Sequence, residues 1–167
     1  PALLLVLILI GTVWYWNYSQ DDVYITYRYS RNIALGNGFV FNLGERVQGT
    51  TTPLFTLLMA GVYFITHDLV HAGNLISAIS LFGVCIVAWQ LGERIGGAWL
   101  GMGAALMLAL NTWFYISFGM ETLTYTLLLI ATFWFAYREK EFFAGVCVGL
   151  LTITRADGIL AAGVLAA

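Results

Sequence analysis

Apolar residues gather into long runs with the polar residues collected between them: Ala2–Trp16, Pro53–Thr66, Gly73–Leu91, Gly97–Ser117, Thr122–Tyr137, Phe142–Thr154 and Gly158 to the end. Such runs predict helices, and a membrane span needs about 20 apolar residues. The run Pro53–Thr66 is short for a span and opens with a helix-starting proline after three threonines. The gap Asn17–Thr52 differs in kind, for it carries Asp21, Asp22, Arg28, Arg31, Glu45 and Arg46 together with Gly36, Gly38, Gly44 and Gly49. Irregular backbone cannot satisfy its hydrogen bonds in lipid, so this stretch belongs at or outside one membrane face. Within it, Asp22 to about Leu35 reads as an amphipathic helix along the interface. The glycines that follow predict tight turns, since a free linker would not hold Phe39, Val40 and Phe41 in its middle.

Composition narrows the class. The 167 residues are 60% hydrophobic and 10% charged, against roughly 25% charged in an ordinary soluble domain, which excludes a soluble globular enzyme. A mean hydropathy of +0.85 spread over the whole length also excludes a disordered chain or a lone signal peptide. A net charge of −2 without a basic run gives no footprint for nucleic acid. The expectation is an all-α integral membrane protein, a polytopic bundle of about five or six spanning helices at most. Residues 17–72 form its long first external loop, with interfacial helices. The whole, 1–167, reads as a single transmembrane module. A start at Pro1 and an end at Ala167 inside an apolar run suit the N-terminal part of a longer polypeptide.

Orientation follows from charge. If Pro53–Thr66 lies in the interface, Arg94, Arg138 and Lys140 fall in short connections opposite the long loop, as the positive-inside rule favours. That arrangement leaves Asp21, Asp22, Glu121 and Arg155 on one external face. Trp14, Tyr15, Trp16, Trp113 and Tyr115 sit near the external ends and suit an aromatic belt. Gly97, Gly101, Ala105 and Ala109, and likewise Gly145 and Gly149, recur every four residues and predict close helix packing. Cys85 and Cys147 read as small packing residues.

Few residues are left to carry chemistry. Asp21 and Asp22 follow the first run, and a carboxylate pair at a membrane boundary must face water, protein or substrate. Neighbouring helical positions diverge by about 100°, so one can face a cavity as a general base while the other serves the backbone; both can equally mark a helix N-terminus. Arg28 and Arg31 share one side of their helix and suit either a phosphate or snorkelling toward lipid headgroups. Glu121 is the lone charge between Arg94 and Arg138 and suits either a helix cap or the orientation of a substrate or metal. Arg155, flanked by Asp157, invites an anionic partner. His67 and His71, spaced to share a helix face, read as a solvated interfacial turn, since no third metal ligand lies near. Asn17-Tyr18-Ser19 matches a glycan acceptor pattern that occurs often by chance.

The string D-D-V-Y-I-T-Y-R-Y-S-R-N-I-A-L-G-N-G-F-V-F-N-L-G-E-R-V-Q-G-T-T-T-P-L, from Asp21 to Leu54, resembles the first external loop of GT-C-fold glycosyltransferases, closest to bacterial arabinofuranosyl- and mannosyltransferase-like members. G-M-E-T at Gly119–Thr122 and T-R-A-D-G at Thr154–Gly158 agree in order and spacing, although Ala156 stands where the family usually has proline. The resemblance implies an inverting membrane glycosyltransferase of the cell envelope, multi-pass in the cell membrane with its active site on the extracytoplasmic face. Its donor would be a polyprenyl-phosphate sugar and its acceptor a hydroxyl on a glycan, lipid or protein. It implies Asp21 or Asp22 as the catalytic base, Glu121 as the acidic residue of the second external loop, and Arg155 beside the lipid phosphate; Arg28 and Arg31 stand as donor-phosphate candidates from their own spacing. Some members of the fold use a divalent metal and others do not; no metal ligand is assigned here. The alternative is a non-catalytic subunit packed into a larger membrane complex through its glycine stripes.

Overall fold

In the computed structural model, which describes residues 2–45, 47 and 49–166, the chain is all-α. Among those residues it forms nine helices and no strand: α1 (Ala2–Trp14), α2 (Val23–Ala34), α3 (Pro53–Thr66), α4 (Leu69–Gly96), α5 (Ala98–Ala109), α6 (Thr112–Ile116), α7 (Thr122–Tyr137), α8 (Glu141–Thr154) and α9 (Ile159–Ala166), the last preceded by a 3₁₀ turn, Ala156–Gly158. Among the described residues one helix, α4, is long and apolar enough to cross a membrane. The helices α3 and α7 match their apolar runs, whereas α1 stops two residues short of its run and the run Gly97–Ser117 is split. The run Gly97–Ser117 divides because the Asn111 side chain accepts a hydrogen bond from the Trp113 amide and starts α6 afresh.

The long helix organises the rest. Asp68 caps its N-terminus by accepting from the His71 amide, extending α4 four residues ahead of the apolar run and into the segment expected to be loop. Gly97, at φ +85°, turns the chain back so that α5 runs antiparallel to α4. A Cβ on Gly92 would meet the Gly101 backbone, so the first small-residue stripe packs as expected, with Gly101, Ala105 and Ala109 buried. The second stripe does not. Gly145 and Gly149 of α8 are exposed with open space about them, because α8 turns Ala144, Cys147 and Leu151 inward instead.

Two apolar clusters fill the interior. Leu4 and Ile8 of α1 pack with Leu81 and Cys85 of α4, Ala105 and Ala109 of α5, Phe118 and Leu123. Val23 and Tyr27 of α2 pack with Phe55 and Met59 of α3 and with Ala72. Tyr115, expected at an aromatic belt, is buried: its ring stacks on Tyr15 and its hydroxyl donates to the Ala109 carbonyl at 2.7 Å. Trp14 and Trp113 remain at the surface.

The direction of each helix fixes which ends meet. α4 and α7 run parallel, since Ser80 in the middle of α4 meets Thr124 at the start of α7, and Arg94 near the finish of α4 meets Trp134 near the finish of α7. From Ser77 to Arg94 the rise along α4 is about 25 Å, which separates the two polar ends of the bundle. Both ends of α3 lie at the end where α4 begins: Thr52 lines a cavity with Glu121, and His67 leads through Asp68 into α4. α3 therefore crosses that end of the bundle and does not run along it.

Candidate functional site

The site is assembled by a latch on Gly119. This residue sits at φ +84°, a conformation that favours glycine. Its amide donates to Ser77 Oγ at 3.0 Å, and its carbonyl accepts from the Tyr27 hydroxyl at 3.2 Å. Gly73 stands just behind, where any Cβ would overlap the Tyr27 hydroxyl. The turn carrying Met120 and Glu121 is thereby held between α4 and α2. Burial within this contact pushes the Tyr27 phenol far above its ordinary pKa, so it stays a neutral donor. Asn74, fully buried alongside, donates to the Trp16 carbonyl at 2.8 Å and anchors the end of α1 at the same place.

Glu121 and Asp22 line one cavity of about 200 Å³, with Val23, Ile25 and Thr26 of α2 and the run Gly49–Thr52 completing its wall. Neither carboxylate caps its helix, although each occupies an N-cap position. Glu121 turns toward Arg155, whose Nη1 lies 3.6 Å from its Oε1, and Arg155 also reaches Asp157 at 3.3 Å and lies over the Tyr125 ring. Glu121 is 12% exposed and Arg155 45%, and of the two Glu121 alone lines the cavity. Arg155 ends α8 in extended backbone, φ −150° and ψ 141°, the region a following proline would impose. Ala156 thus leaves it in that conformation. Gly158 closes the turn where a Cβ would strike the Leu151 backbone.

Asp22 and Glu121 therefore share a cavity, and Arg155 joins them only through its pairing with Glu121. Asp21 and Asp22 are both exposed, and of the two Asp22 alone lines the cavity. Arg28 and Arg31 stand apart from this group, on the other side of α2. With Tyr24 and Tyr27 they line a separate groove of about 1160 Å³, closed opposite by Tyr63 and His67. Arg28 is committed to the glycine-rich loop: Nε donates to the Phe41 carbonyl at 2.9 Å, Nη2 to Asn42 Oδ1 at 2.8 Å, and the fork lies 4.4 Å from the Phe41 ring centre. Asn32 donates to the Val40 and Phe41 carbonyls, so the loop folds tightly as its composition implied. Arg46 and Gln48 of this stretch lie outside the described residues.

The histidines do not share a helix face. His67 ends α3 at φ +55°, whereas His71 lies in the first turn of α4, paired with Asp68 and stacked on Trp16. Its bonds to Asp68 hold that carboxyl below the usual range. Among the described residues no three His, Cys, Asp or Glu side chains gather to hold a metal. The donor set is thus short for a divalent ion.

Two features escaped the sequence reading. The threonines ahead of Pro53 form a buried network, Thr50 to Thr52 and Thr56, with Ser30 Oγ of α2 donating to the Thr56 carbonyl at 2.9 Å. The other is the Gly119 latch. Its signal lay in Asn74, Ser77 and Ser80, three polar residues on one side of an apolar run, all buried. No protein-family model matches this chain, and no curated protein or solved structure does either.

Proposed function

We propose that this chain is the catalytic end of a polytopic membrane glycosyltransferase, moving a sugar from a polyprenyl-phosphate donor to an acceptor hydroxyl at the extracytoplasmic face. The observation that carries the reading is that Asp22 and Glu121, a hundred residues apart in the chain, line one cavity, and that Glu121 in turn pairs with Arg155. The GT-C resemblance assigns chemistry to those three positions. Two further features support a membrane setting. Large apolar side chains such as Val13, Ile65, Trp99 and Leu160 face outward on several helices. Arg94 and Arg138 lie at the end of the bundle away from the cavity.

In this reading Asp22 accepts the proton of the acceptor hydroxyl as its oxygen attacks the anomeric carbon. The bond from that carbon to the phosphate oxygen breaks, and configuration inverts. Arg155 stabilises the charge growing on the departing lipid phosphate, while Glu121 holds the guanidinium in place. No step runs through a metal. The test is transfer from a polyprenyl-phosphate arabinofuranose or mannose by Asp22→Asn and Asp21→Asn proteins. Loss of a general base predicts a fall of about 10²- to 10⁴-fold for Asp22→Asn and near-normal transfer for Asp21→Asn. Full activity of Asp22→Asn removes the proposed base.

The open glycine stripe of α8 supports a second reading, a subunit that packs against a partner helix through Gly145 and Gly149. Stoichiometric copurification with a membrane partner, without sugar transfer, would favour it.

A further inference from the structure

Arg94, in the last turn of α4, and Arg138, at the C-terminus of α7, lie at the end of the bundle remote from Asp22 and face one cavity of about 450 Å³ with Gln90, Glu93 and Trp134. Both guanidinium groups rest against the same indole, at 6.0 Å and 5.4 Å from its ring centre. Nearby, the Lys140 ammonium lies over Phe143. Three carboxylates, Glu93, Glu139 and Glu141, are close in sequence, yet among the described residues none forms an ion pair with these cations. A guanidinium lying against a ring keeps its N–H edge free for a planar partner.

We infer that Arg94 and Arg138, held on Trp134, form a binding site for a single phosphate group, supplied by the headgroup of a membrane phospholipid. Two forks converging on one cavity suit the paired oxygens of a phosphodiester. Two guanidinium charges against the single carboxylate of Glu93 leave one positive charge, matching the one negative charge that a phosphodiester carries. The cavity opens at helix C-termini, whose carbonyls repel anions, so the arginines must supply the attraction. Ordinary snorkelling needs only charge near a headgroup, and neither a shared cavity nor a shared ring. The lipid source rests on the membrane reading above; the phosphate chemistry does not.

The test uses the full chain in nanodiscs of phosphatidylcholine doped with phosphatidylglycerol, with retained lipid read by native mass spectrometry. A second arm titrates inorganic phosphate against the detergent-solubilised protein. Losing charge-assisted hydrogen bonds should lower phosphatidylglycerol retention about tenfold in the Arg94→Gln, Arg138→Gln protein. The Arg94→Lys, Arg138→Lys protein keeps the charge and the fold but loses the forks, and it should fall in the same direction. Inorganic phosphate binding that the same variants weaken also supports the site and names the free anion as its source. Retention by the lysine protein equal to wild type, or no preference for phosphatidylglycerol and no phosphate binding, overturns the inference. A chain that enters no bilayer yet binds phosphate overturns only the membrane reading.

Discussion

Glu121, at the start of α7, and Arg155, at the end of α8, bring carboxylate and guanidinium to within 3.6 Å, and Glu121 shares a cavity with Asp22. With Arg155 nearly half exposed, the pair contributes about 0–1 kcal/mol to stability, so its value is positional. Arg155→Gln should leave the melting temperature nearly unchanged while lowering sugar transfer by about 10²- to 10³-fold. Glu121→Gln should lower it less, because the cation remains. Thermal unfolding measured beside transfer separates the cases, and a variant that melts early and transfers normally contradicts the assignment.

The Gly119 latch should be sensitive to one methyl group. Gly119→Ala places a Cβ at φ +84° and against the Tyr27 hydroxyl, costing about 1–2 kcal/mol from the backbone alone. Tyr27→Phe removes the bond to the Gly119 carbonyl at a cost of about 1 kcal/mol. The double variant should be more stable than the sum of the two losses implies, since the missing hydroxyl makes room for the methyl group. Denaturant midpoints for the four proteins give the coupling, and strict additivity would show that the two residues do not meet.

Acid should weaken the start of α4. Asp68 accepts from the ring and amide of His71, which holds its carboxyl below the unfolded value. Its contribution is complete above that unfolded value, about 3.9, and is lost as pH falls through the lower folded value. Asp68→Asn keeps a capping oxygen without titrating and should flatten this part of the acid limb. Asp68→Ala should cost about 1 kcal/mol at neutral pH. The carboxylate is well exposed, so the acid effect is small, and amide exchange in α4 as a function of pH is the suitable readout.

The two glycine stripes should respond in opposite ways. Gly101→Ala drives a methyl into the Trp89 carbonyl and the Glu93 amide, an overpacking expected to cost about 1–3 kcal/mol. Gly145→Ala meets nothing among the described residues and should be neutral or stabilising by up to about 1 kcal/mol. If α8 docks on a partner helix, Gly145→Ala should instead break copurification while leaving the isolated chain stable.

Much of this arrangement was legible in the residues, and the exceptions are instructive. The all-α class, the helix from Asp22 to about Leu35 and the tight glycine-rich loop follow from periodicity and turn chemistry, which act over short distances. The charge asymmetry of the loops predicts Asp21, Asp22, Glu121 and Arg155 on one face; the structure brings Asp22 and Glu121 to one cavity and Arg155 to Glu121. The two faces of α2 were not separable in advance: which neighbour of an exposed aspartate pair borders the cavity depends on α3 and the Gly119 turn packing against it. The same dependence hid the burial of Tyr115, because a tyrosine between apolar runs reads as an interface residue until Gly11 and Tyr15 supply a slot for its ring. The exposed stripe of α8 follows from facing, which a spacing of four leaves undetermined.

Helix α2 is a thin partition, with Asp22, Ile25 and Thr26 turned to one chamber and Tyr24, Tyr27 and Arg31 to the other. A single rigid rod forms a wall of both, so an occupant that shifts the rod changes the shape of the neighbouring chamber as well. Linkage then makes the effect mutual: whatever factor one guest imposes on the affinity of the other is returned in full. Tyr27 belongs to this partition and donates to the turn bearing Glu121, which makes it the residue through which such cross-talk would be felt first.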